Sequence, residues 1–239
     1  MFEVLVAGVA VLAGGIAAVA GFGIGSLLTP VLAVPLGVKA AVAAVAVPHV
    51  VGTALRLWRL RAHVDRDVLK GFGIASALGG LTGALLHGAL ASPPLRVVFG
   101  LLLLLSASAE LTGWARRVRL GRTGAWIAGV LSGGFGGLVG NQGGIRSAAL
   151  LAFPLEPRAF VATATAIALL VDAARMPVYA VTQGGAIVDA AGLVGIATAG
   201  VVLGTLGGER ILGRIPTVWF RRLVALLIAA LGVYMLASG

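Results

Sequence analysis

The 239-residue chain has no cysteine, which excludes disulfides, thiolate chemistry and Cys-ligated metal and leaves the redox compartment unread. Charged residues make up only 11% of it and aromatics 6%, too little polar surface for an ordinary soluble domain. Acidic residues are the scarcest, eight against 18 Lys and Arg, for a net charge of +10. In a soluble protein that excess would suggest nucleic acid. Here the basic residues cluster in short loops between apolar runs, as topology signals do, and no nucleic-acid partner is expected. The N-terminal stretch MFEVLVAGVAVLAGG carries Glu3 and no basic residue; it lacks the n-region of a cleaved signal peptide and reads as a first membrane segment. The chain has no G-x-S-x-G, no H-E-x-x-H and no carboxylate pair at useful spacing, so it is not read as an enzyme, and no cofactor or metal is called for.

What the chain has in plenty is apolar residues and glycine: 59% hydrophobic, 37 glycines and a mean hydropathy of +1.08. Apolar runs long enough to cross a hydrocarbon core of about 30 Å as helices recur along its length. The expected class is an all-α integral membrane protein in a lipid bilayer, with no soluble domain left over.

Shifting the sequence by 119 residues aligns Gly21–Arg56 with Gly140–Arg175 without a gap, and 11 of the 36 positions are identical. Matches of Ala, Leu and Gly carry little weight in this composition. Pro35 with Pro154, Lys39 with Arg158 and Arg56 with Arg175 carry more, each falling at the end of an apolar run. The chain therefore divides into a first membrane repeat at 1–115, a basic cytoplasmic linker at 116–122 and a second repeat at 123–239. Each repeat holds a long first segment (about 4–34 and 123–153), then three ordinary spans: 38–57, 68–90 and 95–114, or 158–178, 187–208 and 217–237.

At 1.5 Å per residue the first segment makes roughly 46 Å of helix, too short for two crossings and long for one. It either crosses once, giving parallel repeats, or turns back as a re-entrant or broken helical hairpin, giving inverted-topology repeats. Lys and Arg collect on the cytoplasmic side. Inverted repeats place 14 cationic residues on one face, from Arg56 to Arg222, against Lys39, Arg96 and Arg175 on the other, whereas parallel repeats divide them 10 to 7. The inverted arrangement is the expectation, with both termini external and the glycine-rich centres GFGIGS (21–26) and GNQGGIR (140–146) as hairpin tips meeting near the midplane. Backbone of that kind is tolerated at depth only where protein buries it or it lines a wet cavity.

These residues resemble the TauE/SafE sulfite-exporter family of membrane transporters. The resemblance rests on GFGIGSLLTPVLAVPLGV and GGFGGLVGNQGGIRSAALLAFPLEPRAF, the Pro35-Leu36 and Pro154-Leu155 pairs and the repeat, and it covers essentially the whole chain. It implies secondary transport of a small sulfur-containing anion (sulfite, sulfonate or sulfoacetate class) across the cell membrane, coupled to an ion gradient. An anion channel, or a transporter of a non-sulfur organic anion, is the alternative. A homodimer is compatible with this reading. The first repeat departs from the family pattern: GFGIGS lacks the fuller glycine run and has no Asn, Gln or Arg, so the two hairpins are not expected to contribute equally.

Arg146 sits in an apolar run where a lipid-facing charge would cost several kcal/mol; it must face protein, water or an anion. A half-helix starting near Gly143 or Gly144 would aim free N–H groups at the same place, which suits an oxyanion held by a planar guanidinium. The bland alternative is that Arg146 ties carbonyls of the other hairpin. Asn141 and Gln142 could donate to the anion or cap the helix. Ser26, with Gly23 and Gly25, could complete the site from the first repeat, or Ser26 could simply pack a helix neck. Asp172 and Arg175, three apart, could form a local ion pair, or Asp172 could carry a proton or sodium. His49, after Pro48, could carry a proton or make a helix contact. Thr165, like Thr163, could act in coupling or bond back to its own helix.

Overall fold

The computed structural model describes residues 1–113, 121–141, 143–212 and 217–237. They form α1 (Phe2–Ala20), α2 (Ile24–Leu60), α3 (Arg66–Val68), α4 (Ile74–Ala89), α5 (Ser92–Thr112), α6 (Arg122–Val139), α7 (Gly143–Leu150), α8 (Pro157–Asp189), α9 (Ala191–Leu212) and α10 (Thr217–Ala237). No strand occurs among the described residues. Six helical stretches are long and apolar enough to cross a membrane: Phe2–Ala20, Ile24–His63, Arg66–Ala89, Ser92–Thr112, Pro157–Asp189 and Ala191–Gly208. Leucines at 12, 78, 85, 101, 131 and 223 are exposed while Thr53, Arg56, Asp172 and Arg175 are buried. Apolar outside and polar inside is the distribution that lipid demands. The protein is thus a multi-pass membrane protein.

Small residues set the packing. Gly200, Gly204 and Gly208 of α9 lie against Ala10, Val11 and Gly15 of α1, and Gly133 and Gly137 of α6 lie against Ser76 and Gly80 of α4. In both pairs the residue numbers rise together, so the helices run parallel, with backbones too close for a side chain between them. Sequence reading of Gly79–Gly83 and Gly200–Gly208 as packing surfaces is borne out. The repeat maps the first pair onto the second with one small gap: 119 residues carry Val11 of α1 to Val130 of α6, and 125 carry Gly79 and Gly83 of α4 to Gly204 and Gly208 of α9.

α2 and α8 cross in the opposite sense. His49 meets Asp172 and Arg56 meets Thr165, so one helix ascends as the other descends. That register places Val51 level with Leu170, its own partner under the offset. α5 and α10 pack on each other as well, and they too occupy matching places in the two repeats.

Each long first segment is broken, at 21–23 and, in the second, after Val139, where Gly140 ends α6 ahead of α7. Gly21 and Gly140 take left-handed backbone (φ 80° and 74°) and end α1 and α6, the usual glycine stop for a helix. α2 breaks again at Gly37 (φ 74°), between the segment 24–36 and the span expected from 38. α8 runs on to Asp189, past Pro177 and the expected span end at 178.

Candidate functional site

The two breaks touch. Gly25 lies so close to the Gly140 carbonyl that a Cβ would collide with it, and Gly143 sits in the same way on Phe22. Across this contact the Ser26 hydroxyl donates to Asn141 Oδ1 at 3.3 Å, so Ser26 does more than pack. Gly23 is the N-cap of α2 and Gly143 the first residue of α7; two helix N-termini therefore open at the contact. Gly144 faces Ser106. Gln142 lies outside the described residues.

Two arginines hold the helix ends that stop there. Arg56 donates from Nη1 to the Ala17 carbonyl at 2.5 Å, from Nη2 to the Gly21 carbonyl at 3.4 Å, and from Nε to Thr165 Oγ1 at 2.9 Å. Arg175 donates from Nη1 to the Gly136 carbonyl at 2.7 Å. Ala17 and Gly136 are the same position under the offset. A helix C-terminus leaves carbonyls unpaired and carries partial negative charge, and a cation there satisfies both. Arg56, expected as a loop charge, is only 5% exposed and belongs to the interior; it stands close in sequence to the surface residues Arg59 and Arg61, which disguised it. Withdrawing Arg56 and Arg175 from the loop charges leaves 13 against two, and the asymmetry between faces stays.

Asp172 joins the groups of α8 to α2. It accepts from Arg175 Nε at 2.9 Å and Nη2 at 2.7 Å, and its other oxygen meets His49 Nδ1 at 2.7 Å. The local ion pair read from the i, i+3 spacing is present, and His49 is its third member. Thr165 makes the expected bond back to the Val161 carbonyl at 2.7 Å while accepting from Arg56. Thr163 Oγ1 accepts from the Asp65 amide at 2.9 Å.

Arg146 differs from the other two arginines. It is 2% exposed, yet its Nε and Nη1 find no hydrogen-bond partner among the described residues. The charged groups acting on it are Arg56, Asp172 and Arg175. Asn141 Nδ2 and the hydroxyls of Thr29, Thr53 and Thr205 are also buried with no partner among the described residues. A buried guanidinium whose donors are unmatched costs several kcal/mol, and protein interiors hold few such groups. Donors on Arg146 and Asn141, beside two helix N-termini, can bind an oxyanion. Arg56 and Arg175 are tied to carbonyls of α1 and α6, each within its own repeat; Nε and Nη1 of Arg146 have no such tie among the described residues. A cavity of about 280 Å³ at the Gly37 break, lined by Ser92, Arg96 and Tyr234 among others, is formed by none of these residues.

Sequence reading missed Arg56, Thr53, Thr29 and Thr205. The repeat held a signal for two of them: Arg56 aligns with Arg175, and Thr53 aligns with Asp172. It also missed His87 and Tyr179, which bind the carbonyls of Leu138 and Gly137 and so fix the end of α6.

Comparison with curated proteins and with solved structures finds no match. A family model described as Sulfite exporter TauE/SafE matches residues 6–235. With that span, the chain belongs to the TauE/SafE sulfite-exporter family of membrane transporters.

Proposed function

We propose that the protein is a secondary transporter that moves a small sulfur-containing anion, of the sulfite, sulfonate or sulfoacetate class, across the cytoplasmic membrane by alternating access. The observation that carries this reading is Arg146, a buried cation with open donors at the contact between two broken helices. Broken helices whose ends converge on a buried site are the arrangement secondary transporters use for substrates. Asn141 and Ser26 add polar groups from the two breaks, and the helix N-termini at Gly23 and Gly143 add amide donors.

The antiparallel crossing of α2 and α8 supports two inverted repeats, 1–115 and 123–239, because spans related by the offset would then run in opposite directions through the bilayer. In this reading the two hairpins enter from opposite faces, the 116–122 linker is cytoplasmic and both termini are external. Burial of Arg146 favours alternating access, since an anion reaches it only when surrounding helices part. The His49–Asp172–Arg175 chain is the place for proton coupling: a carboxylate shared by an imidazole and a guanidinium can pass a proton without leaving a bare charge.

Flux of labelled sulfite and sulfonates in proteoliposomes tests the reading. A carrier gives saturation and counterflow, and Arg146→Ala abolishes both while Arg146→Lys restores part as a point charge without the fork. Normal transport by the alanine variant would remove Arg146 from the site, and linear, non-saturating flux would make the protein a channel.

A further inference from the structure

Around the buried arginines the two repeats differ in charge at two matched positions, 53/172 and 27/146. Arg175 has Asp172 three residues before it and bonds it twice. Arg56, its offset partner, has Thr53 in the same place, and that hydroxyl is buried with no partner among the described residues. Among the described residues Arg56 bonds neutral groups alone: two carbonyls and Thr165. Arg146, the third arginine, has no carboxylate of its own, for Asp172 is already shared by Arg175 and His49. Leu27 occupies the place that matches Arg146 in the first repeat.

Among the described residues, then, three interacting guanidinium groups are balanced by one carboxylate, with Asp172 the one acidic group acting on both Arg56 and Arg146. The excess is two positive charges with His49 counted neutral; a proton on His49 would only raise it. Backbone dipoles do not change the sum. The C-termini of α1 and α6 and the N-termini of α2 and α7 meet here, and their partial charges of about half a unit each oppose one another. An uncompensated pair of charges is far costlier in a membrane interior than one.

We infer that the site is built for a dianion. This rests on the proposed anion site and adds a charge requirement to it: the ligand carries two negative charges at neutral pH, one facing Arg146 and the other compensating the cation that Thr53 leaves unpaired. A singly charged oxyanion would leave one buried positive charge bare. Charge count is then the first element of selectivity, ahead of the identity of the acid group.

Size-matched ligands test this on the purified full chain by isothermal titration at neutral pH: malonate against its monoamide malonamate, and sulfoacetate against its carboxamide. The expected result is that each dianion binds tighter than its monoanion by an order of magnitude or more. Thr53→Asp supplies the missing carboxylate beside Arg56; it should collapse that ratio toward one, while Thr53→Asn keeps it. Equal affinity for both members of each pair in the wild type would overturn the dianion requirement and leave the anion site in place. Failure of every anion to bind would overturn the site itself. An unchanged ratio in a folded Thr53→Asp protein would also refute the charge count, and the wild-type ratio decides if that variant does not fold.

Discussion

Replacing Arg146 by methionine separates a binding residue from a structural one, because the two roles predict opposite changes in stability. Methionine keeps most of the length and removes a buried charge with two unmatched donors. Replacing buried ionic groups by apolar ones of similar volume is often neutral or stabilising by about 1–4 kcal/mol. For a chain of this size each kcal/mol is worth roughly 2–4 °C, so the ligand-free variant should melt at the wild-type temperature or up to about 16 °C above it. Ligand reverses the order. At a hundredfold excess over Kd a bound anion contributes about 2.7 kcal/mol, a rise of roughly 5–11 °C in the wild type and none in the variant. Thermal unfolding of the detergent-solubilised protein, with and without sulfite or sulfoacetate, reads both. A variant that melts well below the wild type and still responds to anion would refute the reasoning, for Arg146 would then be holding the fold.

Asp172→Asn should be strongly destabilising, by about 3–5 kcal/mol, since it leaves Arg175 buried beside a neutral amide; the same melting assay checks it. Gly204→Leu should destabilise by at least about 1–3 kcal/mol by forcing α1 from α9, whereas Gly185→Leu, with nothing within 4 Å of the new Cβ, should not destabilise and should gain up to about 1 kcal/mol of helix propensity. Single cysteines are informative in a chain that has none. One at position 185 should react with a membrane-impermeant label from outside and one at 215 from the cytoplasmic side; any other pattern contradicts the inverted repeats.

The parts of this fold that could be read from sequence are those written in local chemistry. Gly21 and Gly140 announced the two breaks because few other residues adopt the left-handed backbone that ends α1 and α6. Arg146 announced itself as a charge inside an apolar run, and Asp172–Arg175 as neighbours on one helix face. What was hidden depends on contacts across the chain. Nothing near His49 shows that its partner is Asp172, 123 residues away. Arg56 was hidden by its neighbourhood: its role depends on the carbonyls of Ala17 and Gly21, which come within reach only when α1 stops beside α2. The end of α8 was misjudged for a different reason. Pro177 and Gly184-Gly185 weaken a helix locally, by about 3 and 1 kcal/mol per residue, yet the helix continues through them to Asp189, as tertiary context often overrides propensity.

The proposed function places the substrate anion on Arg146. Equilibrium binding of ³⁵S-labelled sulfite and sulfoacetate to purified wild-type and Arg146→Ala protein, at matched folded fraction, tests it most directly. Saturable binding to the wild type, lost in the alanine variant and partly recovered in Arg146→Lys, is the expected result. Equal binding by the wild-type and alanine proteins would contradict it.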